Sequence, residues 1–242
     1  MDPIATPQSP APPRLDFDGR IAFALLYTAV VLSVMEYWLL PSRAHLTGLP
    51  RLIPAPPDLA AGLVWVGSTL LFFLLVPSLV VRLGHGEPLS TIGASPRGLL
   101  LHLPVYLLLY ALTLPLVVFA STRPDFVALY PFVSSTRTSP LVLLVWEIAY
   151  ASQFVALEAF FRGYVLFTCA RRMGWTAVPV MVVPYTMIHF HKPFPECLGA
   201  VVAGTVLGVL ALRYRTFWGG TLVHILVALT MDLLAVLRSG AG

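Results

Sequence analysis

The sequence predicts an all-α protein, a polytopic bundle of about seven transmembrane helices. Of its 242 residues 58% are hydrophobic and 11% are charged, where a soluble domain carries about 25% charge. Mean hydropathy is +0.85. The apolar residues also gather into seven long runs separated by Pro- and Gly-rich joints. Each run is long enough, or nearly so, to cross about 30 Å of hydrocarbon at about 1.5 Å per residue.

The runs are Ile21–Leu40, Leu59–Leu83, Leu99–Ala120, Leu141–Cys169, Trp175–Phe190, Leu198–Leu212 and Phe217–Leu237. The fourth is long enough to project beyond the bilayer or bend. The fifth and sixth are short, which suits tilted or partly buried helices. Joints such as Pro50-Arg51-Leu52-Ile53-Pro54-Ala55-Pro56-Pro57 and Gly84-His85-Gly86-Glu87-Pro88 break the helical pattern between runs. Glu87 to Gly98 is too polar to span and reads as an interfacial segment. Residues 1–20 are rich in Pro, carry Asp2, Asp16 and Asp18, and read as a disordered tail. They lack the basic start and following apolar core of a cleavable signal peptide. Residues 21–238 then form a single transmembrane helical domain. The absence of an internal repeat weighs against an inverted-repeat transporter.

Formal net charge is +4, and fourteen of the fifteen basic residues are Arg, with Lys192 the exception. They are spread over short loops and form no continuous basic face, so nucleic acid is not an expected partner. With seven spans, the N-terminal side carries eight of these residues and the opposite side six of those near the spans. That small excess favours a cytoplasmic N-terminus in a cell inner (plasma) membrane. Cys169 and Cys197 have neither a disulfide framework nor metal-ligand spacing, and read as small apolar residues.

Chemistry enters with the ionisable residues inside the runs, because an intramembrane charge is costly and points to function. Glu158 and Arg162 stand four apart in Leu157-Glu158-Ala159-Phe160-Phe161-Arg162-Gly163, and so share one helical face. Glu147, Tyr150 and Phe154 continue that face, so Glu147 is a candidate for the same cavity. Tyr185 and His189 stand one turn apart in the fifth run. His191 points elsewhere, towards a loop or water. His224 lies in the seventh run, with Asp232 two turns further on a similar face as a candidate partner. Glu36 sits beside Tyr37 and Trp38 and reads as an interfacial anchor. His85 and His102 have no polar company. Gly199, Ala203, Gly204 and Gly208 make a narrow face that admits a neighbouring helix, expected to bring His224 towards Glu158. A carboxylate, a guanidinium and two imidazoles within one bundle suit proton transfer to or from water. Their bland alternatives are a buried ion pair that orients helices and satisfied core histidines.

These residues, in this order, resemble the CPBP family of CAAX proteases and bacteriocin-processing enzymes, over roughly Leu141 to Asp232. The family's first motif is a Glu-Glu pair and, after three residues, Arg; here Leu157-Glu158 and Arg162 occupy it. Its second is an aromatic residue with His four positions on, here Tyr185 and His189. Its third is His with Asn four positions on, here His224 and Ala228. The run Ala203-Gly204 through Gly208, Arg213-Tyr214-Arg215-Thr216-Phe217-Trp218-Gly219-Gly220 to His224 is also similar. A subgroup linked to processing of C-terminal sorting tails is similar too, in its single Glu and its His-Phe-X-Lys-Pro stretch. Two positions depart from the pattern. Leu157 replaces the glutamate usually assigned as base, and Ala228 replaces the asparagine.

The resemblance implies an intramembrane glutamic endopeptidase with its motif-bearing core at 141–237. Glu158 would activate water, Arg162 set its charge, His189 position the water and His224 stabilise the oxyanion. Tyr185, Asp232 and Glu147 are possible supporting groups. The implied substrate is a membrane-embedded or lipid-linked protein cut near its C-terminus, with no cofactor. Two alternatives stand beside this reading. Zinc could be held by Glu158, His189 and His224 with a fourth position open, although no His-Glu-x-x-His motif is present. A non-catalytic membrane scaffold, chaperone or immunity protein would explain Leu157 and Ala228.

Overall fold

The computed structural model describes residues 17–239; the tail expected over residues 1–20 falls almost wholly outside them. Helices make up the described spans, as hydrocarbon requires of a backbone that must satisfy its own hydrogen bonds. Asp18 caps α1 (Gly19–Val34), its carboxylate accepting from Arg20 N at 3.0 Å and Ile21 N at 3.2 Å. A π-helical turn, Met35–Leu39, completes the first span. The second span, Pro57–Gly84, starts at a helix-initiating proline and contains α2 (Pro57–Thr69) and α3 (Val76–Leu79), joined by π-helical turns. The third is α4 (Leu99–Ala120); a short α5 (Pro124–Leu129) follows outside it.

The next apolar stretch, Pro140–Met187, is 48 residues long. Straight, it would reach about 72 Å, over twice the hydrocarbon thickness. It folds back instead. Up to Met173 it is a single rod, α6 (Pro140–Glu158), a π-helical turn Ala159–Val165 and α7 (Leu166–Met173). Gly174 then adopts φ 54° and ψ −131°, a conformation essentially restricted to glycine, and α8 (Ala177–Met187) returns. Six stretches of the described chain are long and apolar enough to cross a membrane; the fold-back yields the seventh crossing expected from the sequence. The last two are α9 (Phe194–Tyr214) and α10 (Trp218–Ser239).

Polar ties sort the ends of the rods onto two faces. On one, Glu87 after the second span pairs with Arg20 at 2.6 Å and Arg171 at 2.8 Å, and Asp18 pairs with Arg172 at 3.2 Å. On the other, Glu36 meets His191 at 3.0 Å, and Glu196 accepts from Lys192 at 2.7 Å and Tyr130 at 2.8 Å. α8 thus leaves the face of Arg172 and ends at the face of Glu36, a true crossing. His191 is exposed, as the sequence suggests. The core is aromatic and lies around the α6–α7 rod: Phe160, Phe161 and Tyr164 are fully buried, with Phe73 stacked on Phe160 at 4.5 Å. Cys169 is buried, Cys197 half-buried, and both are free.

The glycine face of α9 packs differently from expectation. Gly204 and Gly208 receive α8: a Cβ at Gly204 would come within 2.9 Å of the Tyr185 ring, and one at Gly208 within 3.0 Å of Met181. Gly199 faces open space. The stripe therefore seats Tyr185, not the helix of His224. The close approach to Glu158 is made by α10's own Gly220.

Candidate active site

Glu158 is the last residue of α6, where the rod passes into its π-helical turn. Such single-turn bulges shift the register of one helix face and occur often at functional sites. Neither Glu158, just before the turn, nor Arg162, within it, has any exposed surface. They form an ion pair, Arg162 Nη1 to Glu158 Oε1 at 2.9 Å. The guanidinium also lies over the Tyr185 ring, 3.8 Å from its centroid, a desolvated cation–π contact.

His224 reaches the same carboxylate oxygen from α10. Its Nδ1 is 2.6 Å from Glu158 Oε1; an ionised carboxylate only accepts, so Nδ1 carries the proton. The ring stacks on Phe154, centroids 5.1 Å apart. Gly220, one turn before His224, permits the approach, because a Cβ there would overlap Glu158 Oε2. The neighbouring Gly219 accepts the ring of Tyr106 from α4 in the same way. Glu158 Oε2 itself is buried without a hydrogen-bond partner. One oxygen of this carboxylate is doubly held and the other is free to accept.

Tyr185 joins the remaining pieces. Its hydroxyl is 3.0 Å from His224 Nε2, and its carbonyl accepts from His189 Nδ1 at 2.9 Å. His189 lies just past the end of α8, 8% exposed, its ring 4.9 Å from that of Tyr185. With Nδ1 committed, neutral His189 keeps Nε2 as an acceptor. His189 therefore stands beside the Glu158 cluster, joined to it through Tyr185.

Asp232 and Glu147 lie apart from this group. Asp232 is fully buried, accepts from Trp146 Nε1 at 2.8 Å and leaves Oδ1 unpartnered. Glu147, next to Trp146, has a buried Oε2 without a partner. The shared face reading for Glu147 and Glu158 holds along α6, but their polar contacts form two separate groups. His85 lines a cleft with Arg20, Glu87 and Arg171, and His102 stacks on Tyr214 at 3.7 Å. Among the described residues no three His, Cys, Asp or Glu side chains converge as ligands for one metal ion.

Sequence reasoning missed Tyr106, Gly219 and Gly220 as parts of the site. The signal for Gly220 was its place one turn before His224. Tyr106 offered none, standing in a run whose polar groups, His102, Tyr110 and Thr113, mark no site.

Of the family's expected positions, Leu157 is buried in the main apolar core and Ala228 packs with Trp146, Tyr150 and Phe154. No curated protein and no solved structure matches the chain. Residues 139–230, which hold Glu158, Arg162, His189 and His224, match the family model described as Type II CAAX prenyl endopeptidase Rce1-like. Over that stretch, less than half of the chain, the sequence is similar to the Rce1-like type II CAAX prenyl endopeptidases.

Proposed function

We propose that this protein is an intramembrane endopeptidase in which Glu158 activates the attacking water. One observation carries the reading. Oε1 is fixed by Arg162 and His224, whereas Oε2 is buried and unpartnered, the arrangement of an oriented base with one oxygen free for water. Arg162 supplies the countercharge. His189 Nε2 is a second acceptor for that water. His224 holds the carboxylate through Nδ1, and its other nitrogen is taken by Tyr185, so stabilisation of the oxyanion passes to the His224–Tyr185 pair. The substrate is a membrane-embedded or lipid-linked protein cut near its C-terminus. The eight-to-six basic excess favours a cytoplasmic N-terminal face in a cell inner (plasma) membrane.

The test compares membrane-protein termini by mass spectrometry in cells carrying the wild type, Glu158→Gln or a deletion. Glu158→Gln keeps the shape and removes the base. At matched protein levels, it is expected to accumulate the same uncleaved precursors as the deletion. A second reading, a non-catalytic scaffold or immunity protein, draws on the apolar burial of Leu157 and Ala228. It expects Glu158→Gln to give the termini of wild type while the deletion differs.

A further inference from the structure

Glu158, His224 and Tyr185 lie in a line of two hydrogen bonds. Oε1 of Glu158 meets Nδ1 of His224 at 2.6 Å, and Nε2 of His224 meets the Tyr185 hydroxyl at 3.0 Å. An acid, an imidazole bridging through both nitrogens and a hydroxyl is the order of groups in an acid–His–hydroxyl triad. With Nδ1–H directed at the carboxylate, Nε2 is the acceptor and the phenol donates to it. His224 then has no nitrogen left for a substrate. Ala228, one turn further along α10, offers only a methyl group. The donor end of the line is Tyr185.

Tyr185 is held on several sides. Arg162 lies over its ring at 3.8 Å, Phe161 packs edge-on at 5.4 Å, and Gly204 of α9 closes against it. Little beyond rotation of the O–H is left to it, and preorganised donors of this kind stabilise developing charge best.

We infer that the Tyr185 hydroxyl is the hydrogen-bond donor to the substrate's carbonyl oxygen, an inference that rests on the proposed hydrolysis at Glu158. In the first step Glu158 Oε2 takes a proton from water as the water oxygen bonds to the carbonyl carbon. The carbonyl π pair moves onto its oxygen, and Tyr185 turns its O–H from His224 Nε2 to that oxygen, keeping its proton. In the second step the C=O re-forms and the C–N bond breaks. The leaving nitrogen takes the proton from Glu158 Oε2. One water is consumed, and Glu158 and Tyr185 end as they began.

The experiment uses the full-length chain with Tyr185→Phe, which removes one oxygen and keeps the ring under Arg162. Conversion of the precursors that accumulate with Glu158→Gln is followed by pulse–chase at matched protein levels. Tyr185→Phe is expected to slow it on the order of 10²–10³-fold, the effect of losing one oxyanion donor. A second variant separates chemistry from packing: 3-fluorotyrosine at position 185 keeps the hydroxyl and makes it more acidic. With purified protein and a synthetic peptide spanning the cleaved bond, the alkaline limb of the kcat–pH profile should move to lower pH. Wild-type rate in Tyr185→Phe, or an unmoved alkaline limb, overturns the role of Tyr185. Unchanged termini in Glu158→Gln overturn the hydrolysis itself.

Discussion

Glu158 and Asp232 are both wholly buried carboxylates where α6 meets α10, yet their surroundings differ in kind. Glu158 faces a guanidinium, an imidazole N–H and, through that imidazole, a phenol. Asp232 has one neutral donor, the Trp146 indole, and no ion-pair partner among the described residues. Transferring a charge out of water costs several kcal/mol per ion even after relaxation, and only close partners offset it. The contrast separates a site built to keep a negative charge in place from a polar contact that joins two helices. Sequence position alone could not draw this distinction, since both acids sit in apolar runs and Asp232 shares a helical face with His224.

The largest effect should come from removing the countercharge. Arg162 has no exposed surface and reaches Glu158 at 2.9 Å. Arg162→Leu leaves the buried carboxylate with His224 alone. Loss of one partner of a buried pair typically costs about 3–5 kcal/mol, to be read from denaturant unfolding of the purified protein in detergent. A loss below about 1 kcal/mol would show that Glu158 does not depend on Arg162, and the comparison would collapse.

The opposite substitution sharpens it. Asp232→Asn keeps an acceptor for Trp146 Nε1 and removes an acid that lacks an ion-pair partner. Stability is expected to stay within about 1 kcal/mol of wild type or to rise. Precursor processing should stay within about twofold, because nothing in the Glu158 group touches Asp232. If Asp232→Asn instead arrests processing as Glu158→Gln is expected to, the two polar regions act as one, and the sequence reading of Asp232 as the partner of His224 is restored.

The bundle was legible because hydropathy reports directly on what hydrocarbon tolerates. Even the crossing by α8 could be read, though its helix is short, because Gly174 and the two arginines before it mark the turn. Glu158, Arg162, Tyr185 and His224 were legible because ionisable and hydroxyl groups are conspicuous in apolar runs. Partnership was not. Glu147 and Glu158 share a face of α6, but about three turns separate them, and each takes its partners from a different level of the bundle. The α9 glycines announced a close approach without naming the helix that makes it. Only the assembled bundle shows them against Tyr185 while Gly219 and Gly220 serve Tyr106 and Glu158.

The smallest effect belongs to a third carboxylate, Glu87, which tests whether countercharge matters as much outside the hydrocarbon. Hydrogen bonds from Arg171 and Arg20 hold its carboxyl at about 2, against an ordinary 4.5. A carboxyl lowered on folding contributes stability above its ordinary value and loses it as pH falls towards the folded one. The contribution should therefore be complete above about pH 5 and fade between about pH 4.5 and 2. Its partners are largely exposed, Arg20 at 42% and Arg171 at 45%, so solvent and salt screen the pairs. Glu87→Gln should lower Tm by about 2 °C at pH 7 in low salt. The difference from wild type should shrink at about 1 M salt, where screening is nearly complete, and again as pH falls below 4. A loss at pH 7 as large as that of Arg162→Leu would mean that the tie between the first span, the second and α7 supports the bundle as much as the buried pair does. Rim and interior would then fasten the bundle equally, and burial would add nothing to the worth of a countercharge.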